Sequence, residues 1–308
     1  MTNYVTASDV AAFLKLRDEI LASLGRALPT EFWHYTDANG LIGILESGKI
    51  WATQVSCLND SLEHKYFGDL VLEEVRRRLT GKIDPVLATV FGVGIEALAH
   101  RDFSAAGHFV SCFSEVEDDL GQWRGYGGGQ CGYAIGFDVT SIFNSLERRG
   151  LTLMLPMNYD EAEHARIVQR VVDWASQYLL AEHEKTKPTD LKIWSGQMLE
   201  ALAFQLDLVA SILKHPKFSS EKERRILTML GTDEHLNLEF RQKQTLLARH
   251  LPLDTFGQGD PPLLPITRVY IGPGPAQQVS KVSVGDLLLK YGYKGKRVEL
   301  SKVPYRVP

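Results

Sequence analysis

Cysteine is scarce: Cys57, Cys112 and Cys131 are the only three in 308 residues, widely spaced and without a Cys-x-x-Cys pair. An odd, scattered set of this kind builds neither a disulfide framework nor a zinc site, so the thiols read as reduced ones. Long apolar runs are missing too, and nothing approaches the roughly 20 residues that a bilayer-crossing helix needs. The opening stretch, MTNYVTASDVAAFLKLRDEILASLG, breaks its apolar stripe with Lys15, Arg17, Asp18 and Glu19. It is expected to form an amphipathic helix capped by Ser8 rather than a secretory leader. These absences together predict a cytoplasmic protein with no membrane partner. Excess positive charge is absent as well: the net charge is −4 and the pI near 6.2, so no bulk field gathers nucleic acid. Arg76-Arg77-Arg78, Arg148-Arg149 and Arg224-Arg225 leave local phosphate contacts open, the first two reading as solvated helix ends.

Several catalytic signatures are lacking. There is no HExxH, no GxSxG and no Cys-His spacing suited to zinc. GYGGGQCG is glycine-rich, but it feeds a strand and has no Lys-Ser/Thr, so it is no phosphate loop. IGPGPA sits between a strand and a helix, yet its prolines delete the N–H donors such a loop would use. Glu161 and His164, at helical i,i+3, resemble half of a carboxylate-bridged metal site; without a second copy they read as a surface pair.

What is present is a rhythm of strands and helices. EFWHYT (31–36) reads as a strand, Asp37 as an N-cap, 38–46 as a helix stopped by Ser47-Gly48, and Lys49–Thr53 as a second strand. Helices are expected near 70–79 and 84–100. Strands are expected at GHFVSCFSE (107–115), at Tyr133–Val139 and at Leu151–Tyr159, with a short helix at Leu120–Tyr126. From Asp160 to Leu213 the pattern is helical and divided by Pro188. Strand chemistry returns at KHPKFSSEKERRILTML and in the tail ITRVYIG…AQQVSKVSVGDLLLKYG…KRVELSKV. The expectation is one α+β domain over 1–308: an N-terminal helix (1–28), a sheet core from 31–159 and 214–308, and a helical insertion at 160–213.

Four polar clusters lie on or beside these strands. The first is His34-Tyr35-Thr36, at a strand end where a cleft can open; a histidine there is more often hydrogen-bonded structure than chemistry. The second joins Ser111 and Ser114 of FVSCFS to Trp123 and Tyr126 of the following helix. Trp123 suits core packing, whereas Tyr126 precedes three glycines that leave room beside its ring for a flat ligand. In the third, SSEKERR, Glu221 and Glu223 are expected to share one face of an extended segment, with Lys222 and Arg224 on the other. A charge run is usually a solvated face, but two carboxylates on one side also suit a site that wants negative charge. The fourth, LNDSLEH, offers Asn59, Asp60, Glu63 and His64 as a capped turn or the rim of a site.

Taken in order, FWHYT…LIGILESGKIW…LND…E, FVSCFSE…WRGY, GYAIGFD, KHPKFSSEKERR and ITRVYIGPGP…SKVPYR resemble a bacterial family catalogued as a domain of unknown function, from about residue 31 onward. That family often has tryptophan after the second glutamate, where this chain has Arg224. More distantly, the chain resembles ADP-ribosyltransferases of the His-Tyr-Glu type. That resemblance implies an α+β fold with a split mixed or antiparallel sheet carrying an inserted helical hairpin. It implies that NAD is the substrate, with His34, Tyr35 and Thr36 beside the ribose, Ser111 or Ser114 at the carboxamide, and Tyr126 stacked on nicotinamide. Glu223 would then stabilise the ribosyl cation and Glu221 would orient an acceptor, itself an unidentified protein or nucleic acid. A toxin or defence role in bacteria is implied by analogy alone. Two other classes stay open. One is a manganese- or magnesium-dependent hydrolase or nuclease using His34, Asp60, His64, Glu221 and Glu223. The other is a non-enzymatic nucleotide-binding sensor using the same cleft.

Overall fold

A computed structural model describes residues 15–16, 18–24, 28–58, 63–99, 108–127, 131–146, 152–229, 237–243, 246–253 and 263–304. The chain runs β1 (Glu31–Thr36), α1 (Ala38–Ser47), β2 (Ile50–Gln54), α2 (Glu63–Leu79), α3 (Pro85–Ala99), β3 (His108–Ser114), α4 (Leu120–Tyr126) and β4 (Tyr133–Asp138). It continues through α5 (Val139–Leu146), β5 (Thr152–Pro156), α6 (Glu161–Thr186), α7 (Leu191–Ala210), β6 (Glu223–Met229), β7 (Glu239–Lys243), β8 (Leu246–Leu253), β9 (Ile266–Ile271), α8 (Gln277–Lys290) and β10 (Arg297–Leu300). These elements form two compact units. One is helical, from residues 1–25, 59–105 and 157–218; the other contains the sheet, from 26–58, 106–156 and 219–308. The Ser8 cap, Asn59, Asp60 and Arg148-Arg149 fall outside the described residues, as do the side chains of Glu63 and His64.

In the helical unit, α2 and α3 pack with the α6–α7 pair. Asp160 caps α6 by accepting from the Ala162 and Glu163 N–H groups, and Lys187 ends it in the left-handed conformation just before Pro188. Leu87 and Val90 of α3 meet Trp194, Met198 and Leu202 of α7 at i,i+4 spacing, with Leu179 of α6 between them. Arg78 joins α2 to α6 by reaching both Glu74 (2.7 Å) and Asp173 (2.8 Å). The expected surface pair Glu161–His164 is corrected here, because His164 is fully buried. Its Nε2 lies 2.9 Å from the Asn158 carbonyl and its Nδ1 2.9 Å from the Tyr66 hydroxyl. A carbonyl only accepts, so Nε2 carries the hydrogen and Nδ1 accepts from Tyr66. Both ring nitrogens are therefore used by the neutral ring.

The sheet unit has strand order β10-β9-β4-β1-β3-β2-β8-β7, with β6 and then β5 added beside β3; only β9–β10 is parallel. It is a mixed α+β arrangement with a mostly antiparallel open sheet. One face is apolar at every second residue, with Phe32, Phe109, Phe113, Ile135, Ile226 and Val269 in the core. Leu41, Ile44 and Leu45 of α1, Val139 and Ile142 of α5, and Val284 and Leu288 of α8 cover that face. Each such fully buried side chain contributes about 1.5–3 kcal/mol before conformational entropy is counted. Both ends of α1 are capped as its sequence indicates: Asp37 accepts from the Gly40 N–H at 2.8 Å, and Gly48, at φ 63°, closes on the Ile44 carbonyl. The hairpin β7–β8 has no counterpart among the sequence expectations.

Two predictions follow from local packing. His164 has its pKa lowered, chiefly by burial. A folded-state pKa below the unfolded value contributes stability that is present above about pH 6.5 and lost as pH falls through the folded value. Urea midpoints are expected to drop from pH 7 to pH 5, and His164→Gln to flatten that slope; an unchanged slope contradicts the assignment. In helices Gly→Ala normally gains up to about 1 kcal/mol. At Gly68 of α2 a Cβ meets nothing within 4 Å, whereas at Gly43 of α1 it would lie 2.7 Å from Trp51 Cζ2. Gly68→Ala should raise the midpoint and Gly43→Ala lower it, read by the same titration.

Candidate functional site

A strand has two edges, and β6 occupies one edge of β3 along its whole length, from His108↔Met229 to Ser114↔Glu223. Both β1 and β2 use the edge that remains. β1 pairs at Trp33↔Ser114, and β2 at Thr53↔Val110 and Gln54↔Phe109. Both run antiparallel to β3. If each ladder continued, β1 and β2 would claim the same β3 residues, 111–113. They splay apart instead, and side chains take over the main-chain groups left open. His34 Nδ1 lies 2.9 Å from the Cys112 carbonyl, and the Ser111 hydroxyl donates to the Trp51 carbonyl at 2.7 Å. The sheet is forked, and His34 stands in the fork.

That bond sets the chemistry of His34. The Cys112 carbonyl only accepts, so Nδ1 carries the hydrogen and Nε2 presents a lone pair. Burial lowers the pKa, opposed by the bond to Cys112, and the positive charge of Arg241 lowers it further. A neutral imidazole with an acceptor nitrogen suits a hydroxyl donor such as a sugar's. On the β2 side the fork continues through Trp51, Thr53, His250 and Arg241. The Trp51 ring lies 5.0 Å from that of His250, and the Arg241 guanidinium sits 5.1 Å above it. The sequence reading missed Arg241 and His250, because it missed the strands that carry them. The only local signal is a weak alternation in LLARHLPL, where Leu247, Leu251 and Leu253 share a face but Leu246, Ala248 and Pro252 fill the other.

The other anticipated residues separate into structural and open ones. Tyr35 is a latch: its hydroxyl donates to the Val116 carbonyl at 2.8 Å, accepts from the Asp119 N–H, and its ring meets Trp123 edge-on at 4.7 Å. Burial raises its pKa strongly. Thr36 packs its hydroxyl against Gly40. Ser114 donates to the Glu221 carbonyl (2.8 Å) and accepts from the Val116 N–H (3.1 Å), so its hydroxyl serves main chain. Tyr126, at the end of α4, is 37 % exposed; Gly128 and Gly129 lie outside the described residues.

The shared face expected of Glu221 and Glu223 does not form. Residues Pro216–Glu221 make a 3-10 turn, Lys222 takes a left-handed conformation (φ 41°), and β6 begins only at Glu223. Glu223 instead shares its face with Arg225, which binds both carboxylate oxygens at 2.7 and 3.2 Å; both residues are buried. Arg224 is buried on the opposite side and holds Glu115 at 2.5 Å. Of the arginines considered for phosphate contacts, Arg224 and Arg225 are thus engaged with carboxylates, as Arg77 and Arg78 are with Glu74. By register, Glu223, Ser114 and Trp33 lie in one row across β6, β3 and β1, on the face that also carries Thr53, His250 and Arg241. No group of three or more His, Cys, Asp or Glu placed to hold a metal ion occurs among the described residues. No helix among them is long and apolar enough to cross a membrane.

Comparison with known proteins adds one match. A family model described as "Protein of unknown function (DUF2971)" matches residues 122–226, the stretch from the middle of α4 to the middle of β6. No curated protein matches the chain, and no solved structure matches it. Over that stretch, which includes Tyr126, Glu221 and Glu223, the chain carries a domain of unknown function.

Proposed function

We propose that the sheet unit binds NAD at the fork and cleaves its nicotinamide–ribose bond in the manner of ADP-ribosyltransferases, passing ADP-ribose to a macromolecular acceptor. The observation that carries this reading is the splaying of β1 and β2 on one edge of β3, with a neutral histidine in the opening; the Glu223 carboxylate, on the strand at the other edge of β3, lies by register on the opposite face of the sheet. In the reaction, the C1′–N bond breaks and its electron pair leaves with nicotinamide, which departs neutral because its ring was cationic. No general acid is needed. Positive charge builds on the ribose and is captured by an acceptor nucleophile, which gives up a proton. A fixed carboxylate stabilises that charge electrostatically, and Glu223 is the candidate. His34 Nε2 would accept from a ribose hydroxyl, and the exposed Tyr126 ring would stack on nicotinamide. With Glu221 in the turn before β6, only its placement next to the strand supports a role in orienting the acceptor.

A binding module without turnover is the second reading, and one observation favours it: both Glu223 oxygens are already held by Arg225. An acid so engaged offers less field to a passing cation. Nicotinamide release from NAD, with cell lysate as acceptor source, separates the two. Glu223→Gln alone removes the carboxylate charge that faces buried Arg225, and breaking a buried ion pair costs about 3–5 kcal/mol, so Glu223→Gln/Arg225→Gln serves as the folded comparison. Release by wild type should fall at least ~100-fold in the double variant, the scale of losing one electrostatic stabiliser. NAD binding by calorimetry without release supports the module, and release undiminished in the folded double variant removes Glu223 from the chemistry.

A further inference from the structure

Arg241 differs from the other arginines of the sheet unit whose ion pairs are described. Arg224 holds Glu115, Arg225 holds Glu223, and Arg268 holds Glu31, Glu117 and Glu299. Arg241 has no carboxylate within ion-pair distance among the described residues. Its Nη2 donates to Thr53 Oγ1 at 2.8 Å, its Nε is enclosed with no partner, and its guanidinium covers the Trp51 ring. Burial lowers its pKa, yet guanidinium stays charged at any working pH. Asp37 acts on it only as a more distant charge, and the Asp37 Oδ1 is already engaged with the Gly40 N–H at the start of α1.

The surrounding groups do not neutralise it. His250, almost fully buried beside Trp51, has its pKa lowered by burial and by Arg241, and Glu239 near it (3.4 Å) is 57 % exposed. His34 is held neutral by the same two causes. Among the described residues, the fork therefore holds an enclosed cation, Arg241, whose counter-charge is supplied only at a distance. A partly desolvated cation without a bonded anion costs free energy that a bound oxyanion returns. Thr53 Oγ1 accepts from Arg241, which leaves its O–H free to donate to the same oxyanion. A guanidinium and a hydroxyl donor converging on one point describe a phosphate; His34, by register, lies on the opposite face with Ile135 and Phe113.

We infer that Arg241 and Thr53 form a phosphate site in the β1–β2 fork that takes the diphosphate of a nucleotide. As the place of the NAD diphosphate, this rests on the NAD reading; as a phosphate site, it stands on the Arg241 geometry alone. ADP, inorganic pyrophosphate and adenosine are the probes, titrated by calorimetry at constant ionic strength. Wild type should bind ADP and pyrophosphate but not adenosine. Arg241→Gln should weaken both phosphates at least tenfold, with Arg241→Lys between, and Arg249→Gln on the same hairpin should leave them unchanged. Removing an unpaired enclosed charge should leave the unliganded Arg241→Gln no less heat-stable than wild type; if it fails to fold, Arg241→Lys carries the comparison. Equal affinity in wild type and a folded Arg241 variant overturns the site, as does failure of wild type to bind either phosphate. These probes lack the nicotinamide–ribose bond, so Arg241-dependent binding without nicotinamide release would sink NAD cleavage and leave the phosphate site standing.

Discussion

Three strands compete for the two edges of β3, and the rest of the sheet unit is arranged around how that competition ends. β6 takes one edge completely, so β1 and β2 divide the other and part between residues 111 and 113. Buried main-chain polar groups left without partners cost about 1–3 kcal/mol each, so a fork survives only where side chains replace the missing ladder. His34 and Ser111 do this from opposite arms. Their hydrogen bonds are thus structural and positional at once: the bond that closes the Cys112 carbonyl also fixes which nitrogen of His34 carries the hydrogen and which is left as an acceptor.

Keeping the arms apart requires that each be rigid. On the β1 side, Arg268 lies 5.1 Å over Trp33 and 5.7 Å over Tyr270 while reaching carboxylates on β1, on β10 and in the segment before α4. Asp118, in a left-handed conformation (φ 53°), accepts from the Trp123 indole at 2.9 Å, from the Lys302 N–H at 2.9 Å and from the Ser301 hydroxyl. It ties the segment after β10 to the base of α4. A non-glycine residue at positive φ costs free energy, and three donors on one carboxylate offset it. On the β2 side, the comparable task falls to Trp51, which is wedged among Gly43, His250 and Arg241.

The sequence was most legible where local rules and tertiary packing agree. Asp37 and Gly48 bound α1 as caps, Pro188 parts two helices, and the alternation in HFVSCFS marks a central strand. It was least legible where long-range charge pairing decides. Nothing local distinguishes Glu223, which meets Arg225 two residues on, from a solvated carboxylate. The alternation assumed for Glu221 and Glu223 needs an extended backbone, which the turn at 216–221 denies. β7 and β8 went unread because their faces are mixed: Phe240 and Leu247 are exposed while His250 is buried, so the period-2 pattern does not separate apolar from polar. Arg241 was hidden with them, although its single charge distinguishes the fork electrostatically.

The two charged features of the site pull its chemistry in different directions. Glu223 and Arg225 form a closed pair, which is nearly neutral from a distance and weak as an electrostatic catalyst for a cationic sugar. Arg241 is an open charge, strong as an anchor for phosphate. An oxocarbenium ion gains from a carboxylate whose field is not cancelled, so cleavage at Glu223 would require Arg225 to be drawn away, and a second anion is what could draw it. Binding at Arg241 needs no such rearrangement. On the proposed reading, binding would come before turnover, and turnover would depend on an acceptor or substrate group that competes for Arg225. Such dependence would make catalysis conditional on the second partner, which is a property suited to a transferase rather than to a hydrolase that must act with water alone.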